Sequence, residues 1–325
     1  MYNSFNIYLQ IDDSKDLVFY NDVNYVEQQN IIDQNKLTNL LSNNKDFYNI
    51  YYISSKKVFS DYTWISNDFD ADICILKTSN FDNFKHNIFK NVYLIVDDEE
   101  KFLDSMIYLY DNVTGFIDFK LKNKFNKNIL TNQFEILSKF IVGRILEGKY
   151  TLIYQLNYFF EEKKFDTFGE NSIFISPKLN IYRHPIFYWT NSNNFSSIDD
   201  FKFSEQFIHF SKPHIVCHNC ETFYCDRNIY FNYNETTEYK VPAYTECNKT
   251  TFISMFQKNI FNNIQENISL NEVEILDKMT EDFNPSKEYA RLSMNLCVTN
   301  KIKNFKVNYR DVAGEQKNWQ HNFKK

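Results

Sequence analysis

The sequence predicts an α/β domain over residues 1–168, followed over residues 169–284 by a small, hairpin-rich, metal-binding module that ends in helices. Three observations support this division. The chain has 325 residues, more than one domain usually contains. Strand-like and helix-like segments alternate in its first half. Four of its six cysteines lie within the 31 positions from Cys217 to Cys247.

The elements of the first half are assigned from the spacing of apolar residues. Residues 5–11 alternate with a period of two, which predicts a strand, and residues 17–20 are predicted to return as its hairpin partner. Further predicted strands are residues 48–53, 71–76, 92–96 and 116–121, and predicted helices are residues 35–41, 101–110 and 134–146. Alternating strands and helices indicate a mostly parallel sheet. The pattern leaves open whether this sheet is open or forms a partial barrel.

The glycines of this half exclude one class of function. Gly143 lies within a predicted helix, and Gly148 lies at its end, where glycine favours termination. No glycine-rich segment joins a strand to a helix, so the sequence contains neither a Rossmann fingerprint nor a Walker phosphate loop.

Composition and charge restrict the binding partners and the cellular compartment that we expect for this protein. A formal net charge of −6 does not favour nucleic-acid binding. No apolar run is long enough to span a membrane, and residues 1–16 lack the features of a signal peptide. We therefore expect a cytoplasmic protein that binds neither nucleic acid nor membrane. In that reducing compartment, clustered cysteines are more often metal ligands than disulfides.

The secondary structure of the second half is predicted from shorter segments. Residues 285–325 are expected to form a loosely held polar tail. Two β-hairpins are expected, one before the cysteine cluster and one between Cys225 and Cys247, and two helices follow. The first hairpin joins residues 172–175 to 180–183, the second joins residues 228–233 to 237–241, and the helices are residues 251–264 and 270–279.

The cysteine cluster consists of Cys217, Cys220, Cys225 and Cys247. Two thiolates separated by two residues can bind one ion, a third follows within reach, and a hairpin would return the fourth. This spacing is typical of zinc or iron–sulfur sites. The cluster fits a thioredoxin-like redox pair less well, because that motif begins a helix directly after a strand, whereas this cluster lies among predicted hairpins. Cys74 is interpreted as a core residue of a strand.

The residues around the cluster resemble the C-terminal part of the CXXX repeat peptide maturases. Residues 215–228 read IVCHNCETFYCDRN, and residues 236–242 read TTEYKVP before Cys247. Upstream, residues 182–188, YRHPIFY, are similar to the family segment in which a cysteine precedes Pro-Ala-Phe. That family carries a module similar to the SPASM domain of radical SAM enzymes, which binds an auxiliary iron–sulfur cluster.

The resemblance implies a metal site with two departures from the family pattern. His184 stands where the family has a cysteine, and histidine can ligate iron or zinc. Asn228 stands where another cysteine is expected, and asparagine is a poor ligand for soft metals. The expected cofactor is an iron–sulfur cluster, with zinc as the alternative. Its predicted ligands are Cys217, Cys220, Cys225, Cys247 and His184.

The sequence lacks the cysteines needed for radical SAM chemistry. That chemistry requires C-x3-C-x2-C near the start of the barrel, and Cys74 is the only cysteine before Cys217. The resemblance then implies a protein that binds or modifies a cysteine-containing precursor peptide, with a radical SAM enzyme as a further possible partner. The alternative is a non-catalytic, zinc-stabilised module that binds a protein or peptide.

The sequence offers little support for other kinds of catalytic site. Neither G-x-S-x-G nor H-E-x-x-H occurs. The acidic pairs Asp12–Asp13 and Asp97–Asp98 follow predicted strands, where α/β folds often place functional groups. Solvated turn and helix-start residues are the favoured interpretation of both pairs.

Overall fold

A β-sheet with ten described strands forms the centre of the computed structural model. Its strands are β1 (Phe5–Gln10), β2 (Tyr48–Ile53), β3 (Thr63–Ser66), β4 (Ile73–Lys77), β5 (Val92–Ile95), β6 (Phe116–Lys120), β7 (Leu152–Ile153), β8 (Ser172–Ile175), β9 (Asn180–Tyr182) and β10 (Ser196–Ser197). The structure describes residues 5–28, 48–159, 172–192, 195–197, 228–239 and 241–267.

The strand order is β10-β9-β8-β1-β2-β3-β4-β5-β6-β7. All neighbouring pairs from β8 through β1 to β7 are parallel. The pairs β8–β9 and β9–β10 are antiparallel. The predicted α/β class with a mostly parallel sheet is therefore confirmed.

Six described α-helices accompany the sheet. They are α1 (Phe81–Phe84), α2 (Phe102–Asn112), α3 (Lys127–Leu146), α4 (Pro185–Trp189), α5 (Ile229–Thr236) and α6 (Tyr244–Asn267). The Asn126 side chain starts α3 by accepting hydrogen bonds from the backbone N–H groups of Asn128 and Ile129. Gly148, with a positive φ of 75°, follows its end as predicted.

Apolar side chains on alternate positions divide the core between the two faces of the sheet. In β4, Cys74 and Leu76 pack in one cluster with α2, α3 and α6. Ile73 and Ile75 pack in another with the chain around Phe19 and with α4 and α5. Because successive strand residues point to opposite faces, both faces are covered. This double burial explains the continuous apolar run of β4 and confirms the core position of Cys74.

The predicted hairpin of β8 and β9 is confirmed, and Ile175 pairs with Ile181. The same β8 pairs in parallel with β1, where Asn6 lies opposite Ser172. The sheet therefore continues across residue 168, the predicted domain boundary.

Two predicted hairpin segments have a different structure. Residues 17–20 form no strand, because a 3-10 helix (Lys15–Leu17) ends there and the following apolar residues pack on a face of the sheet. Residues 229–236 form the helix α5 rather than a strand, because Asn228 caps its start and Thr237 ends it with φ 63°. The expectation of a hairpin directly after the cysteine segment was wrong.

Several predicted elements cannot be compared with the structure. The helices at residues 35–41 and 270–279 and the tail over residues 285–325 lie outside the described residues. Within the described part, α6 confirms the helix predicted at residues 251–264, and β3 was not predicted. Among the described helices, none combines the length and hydropathy required to cross a bilayer.

Candidate functional site

Both acidic pairs that follow parallel strands contain a carboxylate that joins neighbouring loops. The carboxylate of Asp12, after β1, accepts a hydrogen bond from the backbone N–H of Ser55 at 3.0 Å. The carboxylate of Asp97, after β5, accepts from the backbone N–H and hydroxyl of Ser79 at 2.9 and 2.6 Å. Burial alone would raise the pKa of Asp97, but these hydrogen bonds outweigh burial and lower it. Their contacts assign both carboxylates a structural role.

His184 is buried at the start of α4. Its Nδ1 accepts a hydrogen bond from the backbone N–H of Ile186 at 3.2 Å, and its ring lies 5.0 Å from that of Tyr20. Burial, with the charge of Lys120 nearby, lowers the pKa of His184 well below its ordinary value. The neutral ring therefore caps the helix.

This cap restricts His184 as a metal ligand. Nδ1 already uses its lone pair as an acceptor, which places the proton of the neutral ring on Nε2. Ligation through Nδ1 would break the cap. Ligation through Nε2 would move the proton to Nδ1 and remove the acceptor. The predicted ligand role is compatible with this structure only if the cap is lost.

Cys247 is the second predicted ligand that the structure describes. It is exposed in the first turn of α6, where its backbone N–H donates to the carbonyl of Ala243 at 3.0 Å. An exposed thiol at this position fits a ligand role better than the capping histidine does. Cys217, Cys220 and Cys225 lie outside the described residues, and among the described residues no three His, Cys, Asp or Glu side chains are grouped to hold a metal.

A cavity of about 30 Å³ lies beside the carboxyl end of β6. It is bounded by the chain after the first 3-10 helix, by β6, and by the beginnings of α5 and α6. Its lining includes Asn21, Lys120, Gln155, Asn228, Glu246 and Lys249. Several elements distant in sequence therefore bring polar side chains to one place.

Two lysines of this lining are each held by a carboxylate and an aromatic ring. Lys120 Nζ lies 3.1 Å from the carboxylate of Asp118 and 5.3 Å from the ring centre of Tyr20. Lys249 Nζ lies 2.5 Å from the carboxylate of Glu246 and 5.0 Å from the ring of Phe231. All four charged side chains are at most 14% exposed. Their charges are therefore screened less than those of surface pairs.

Amide side chains fix the end of β6 beside the cavity. The Nδ2 of Asn21 donates to the carbonyl oxygens of Val96 and Lys120. The Nε2 of Gln155 donates to the Asp118 carboxylate at 2.9 Å and to the Phe119 carbonyl at 2.7 Å. These bonds hold Asp118, and through it Lys120, in place before any ligand arrives.

Apart from Asn228, the polar residues of this lining were not predicted from the sequence. Lys120 is the last residue but one of a predicted strand, and Glu246 and Lys249 form an i,i+3 pair beside Cys247. These three residues therefore had a weak signal in the sequence. Asn21 and Gln155 have no sequence signal, because their contacts join residues 75 and 37 positions apart.

A scan against models of known protein families and a search of curated proteins both found no match. The similarity of the cysteine segment to the CXXX repeat peptide maturases therefore stays a prediction from sequence.

Proposed function

We propose that this chain acts in the maturation of a ribosomally made, cysteine-containing peptide. In this proposal it carries a metal centre and binds or modifies the peptide without radical SAM activity. Residues 1–168 would be a degenerate barrel, and residues 169–284 would hold the SPASM-like module. The precursor peptide is the partner, and a radical SAM enzyme could act on the same peptide.

One observation carries the proposal, because two described residues that lie close in sequence to predicted ligands line the same cavity. Asn228 follows Cys225 by three residues, and Glu246 directly precedes Cys247. Asn228 and Glu246 both line the cavity beside β6. Both of these described residues therefore lie at the carboxyl edge of the sheet, close in sequence to predicted ligands. Parallel α/β folds commonly bind ligands at this edge.

The strand order supports descent from a barrel. Strands β1 to β7 follow one another in sequence across the sheet, and β8 lies beside β1. A doubly wound sheet would instead reverse direction at a switch point. Here β9 pairs with β8 on the side away from β1, so among the described strands β8 does not pair with β7. This arrangement is consistent with a barrel that has not closed.

The described residues would serve the metal centre in different ways. When bound, such a centre would order the cysteine segment and offer a position for a substrate thiolate, a ligand that iron prefers. Cys247 would contribute a ligand from the first turn of α6. His184 would instead hold α4 against the sheet.

The second candidate is a zinc-stabilised binding module. The cap made by His184 favours it, because the remaining predicted ligands are then four cysteines. Four thiolates without an open position are typical of structural zinc. In this alternative the cavity and its surroundings would bind a peptide without changing it.

Metal and acid-labile sulfide analysis of protein purified without oxygen separates the two candidates. Iron with matching sulfide and a broad absorption near roughly 400 nm would support the SPASM-like centre. One zinc per chain and no colour, persisting after attempted cluster reconstitution, would support the structural site. Protein that binds neither metal would contradict both.

Peptide binding is tested by calorimetry with a synthetic peptide that has cysteine at every fourth position. A peptide with serine at those positions is the matched control. We expect binding of the cysteine peptide alone, and its loss when Cys217, Cys220, Cys225 and Cys247 are all replaced by serine. Unchanged binding by that variant would overturn the view that the metal centre organises recognition.

A further inference from the structure

The lining of the cavity beside β6 includes several hydrogen-bond donors. Two ammonium groups, those of Lys120 and Lys249, belong to it, and Glu246 is its single carboxylate. Asn228 and Thr250 complete the polar lining near the helix starts, and each is at most 4% exposed. The lining residues therefore carry a formal charge of +1, and the carboxylate of Asp118 lies beside Lys120 just outside the lining.

Asn228 presents a donor whose orientation is determined by the fold. Its Oδ1 accepts hydrogen bonds from the backbone N–H groups of Tyr230 and Phe231 at 3.0 and 3.4 Å. Because the cap uses Oδ1 as an acceptor, the Nδ2 donor lies on the opposite side of the amide group. Within the described residues this Nδ2 has no hydrogen-bond partner. The cap therefore fixes the orientation of this donor.

Thr250 adds a second group of this kind. Its residue is 3% exposed, and it lines the cavity one turn along α6 from Glu246. The hydroxyl makes no hydrogen bond within the part of the chain that the structure describes. The hydroxyl is therefore available to donate a hydrogen bond to a ligand in the cavity.

From these contacts we infer that the cavity binds a carboxylate group, and that the C-terminal carboxylate of a peptide is its source. The assignment of this carboxylate to a peptide rests on the function proposed above, whereas the existence of a carboxylate-binding site does not depend on that function. The two ammonium groups would compensate the charge, and the Asn228 amide and Thr250 hydroxyl would donate hydrogen bonds to the oxygens.

Size and charge select a carboxylate among anions. About 30 Å³ accommodates roughly two water-sized groups, which matches two carboxylate oxygens. Both ammonium groups already have a carboxylate partner in Asp118 and Glu246, so a monoanion is better balanced here than a doubly charged phosphate. A cation would meet two ammonium groups and the donors of Asn228 and Thr250.

The wild-type protein provides the first test. Binding of the cysteine-repeat peptide is measured by calorimetry with the peptide as a free acid and as a C-terminal amide. We expect the free acid to bind at least about tenfold more tightly, because the amide removes the charge that the two lysines recognise. Equal affinities would overturn the inference and leave the peptide-binding proposal intact.

Acetate provides a test that needs no peptide. Replacing about 50 mM chloride by acetate at constant ionic strength should raise the melting temperature by about 2 °C, since a ligand of the folded state stabilises it. If neither peptide binds but acetate stabilises the protein, the carboxylate site is supported and the peptide proposal fails for this probe. If acetate has no effect and the two peptides do not differ, the site is overturned.

Matched variants locate the effect. Asn228→Asp keeps the helix cap, because aspartate caps as well as asparagine, but it replaces the donor by a negative oxygen. Asn126→Asp makes the same change at the cap of α3, outside the cavity lining. We expect Asn228→Asp to abolish the preference for the free acid and the acetate effect, and Asn126→Asp to retain both. Equal behaviour of the two variants would overturn the assignment to this cavity.

Discussion

The imidazole of His184 caps the helix α4 by accepting a hydrogen bond from the backbone N–H of Ile186 at 3.2 Å. The helix that it caps is buried throughout and packs on one face of the sheet. The position that resembles a metal ligand in sequence therefore has a structural contact of its own, and substitution can separate the two roles.

Replacement of His184 tests this separation. His184→Ala should lower the free energy of unfolding by about 2–3 kcal/mol, because it loses both the cap and buried packing. His184→Asn should recover about 1 kcal/mol, because asparagine can accept the same hydrogen bond. Urea unfolding measures both values. If His184 acts only as a cap, metal content stays unchanged in His184→Asn, whereas loss of metal would identify it as a ligand.

The reactivity of the two described cysteines should differ sharply. Burial, followed by the charge of Asp68, raises the pKa of Cys74 to about 12, whereas Cys247 is exposed. After metal removal, iodoacetamide at neutral pH should modify Cys247 and leave Cys74 unmodified until the protein unfolds. Mass spectrometry of digested peptides measures both sites. Equal rates at the two thiols would contradict the buried position of Cys74.

Stability at acidic pH should depend on Asp97. Its pKa is lower in the folded protein than in the unfolded chain, so its contribution is present at neutral pH and is lost as the pH falls below about 4. Asp97→Asn should cost about 1–2 kcal/mol at pH 7, because it weakens the hydrogen bonds from Ser79. The difference from the wild type should shrink towards pH 3 in urea titrations. A constant difference would show that the carboxylate charge is not involved.

Two glycines should respond oppositely to alanine. At Gly115 a Cβ would lie 2.7 Å from the carbonyl oxygen of Lys90, so Gly115→Ala should destabilise the protein by about 1–3 kcal/mol. At Gly143, inside α3, no atom lies within 4 Å of the added Cβ, so Gly143→Ala should stabilise it by about 0.5–1 kcal/mol. Thermal unfolding of both variants checks the contrast, and a loss of stability in Gly143→Ala would contradict it.

The attachment of α6 to the sheet depends on aromatic packing. Phe256 stacks on Phe134 of α3 with ring centres 4.4 Å apart and is fully buried. Phe256→Ala should lower the free energy of unfolding by about 3–5 kcal/mol. Met255→Ala, at a neighbouring position that is 48% exposed, should change it by less than about 0.5 kcal/mol. Similar costs would show that α6 is not part of this core.

Much of the sheet could be predicted because its strands are short, apolar and locally distinct. Residues 92–96 and 116–121 were identified within one residue of β5 and β6. Residues 17–20 have the same apolar character, yet they pack on a sheet face without pairing. The periodicity of apolar residues indicates that a segment tends to be buried, but it does not specify whether the segment pairs with a strand or packs on a sheet face. The second hairpin failed for a related reason, since a short aromatic run before Thr237 suits a strand or a capped helix.

Local patterns in the sequence were enough to predict the α/β class, the lack of the radical SAM cysteine motif and the clustering of Cys217, Cys220, Cys225 and Cys247. These features depend on local periodicity, or on residue type and spacing. Tertiary structure alone decided the sequential strand order, the capping role of His184 and the assembly of Lys120, Asn228, Glu246 and Lys249 around one cavity. The physical reason is that a contact between distant residues depends on how several elements pack together, which local patterns do not encode.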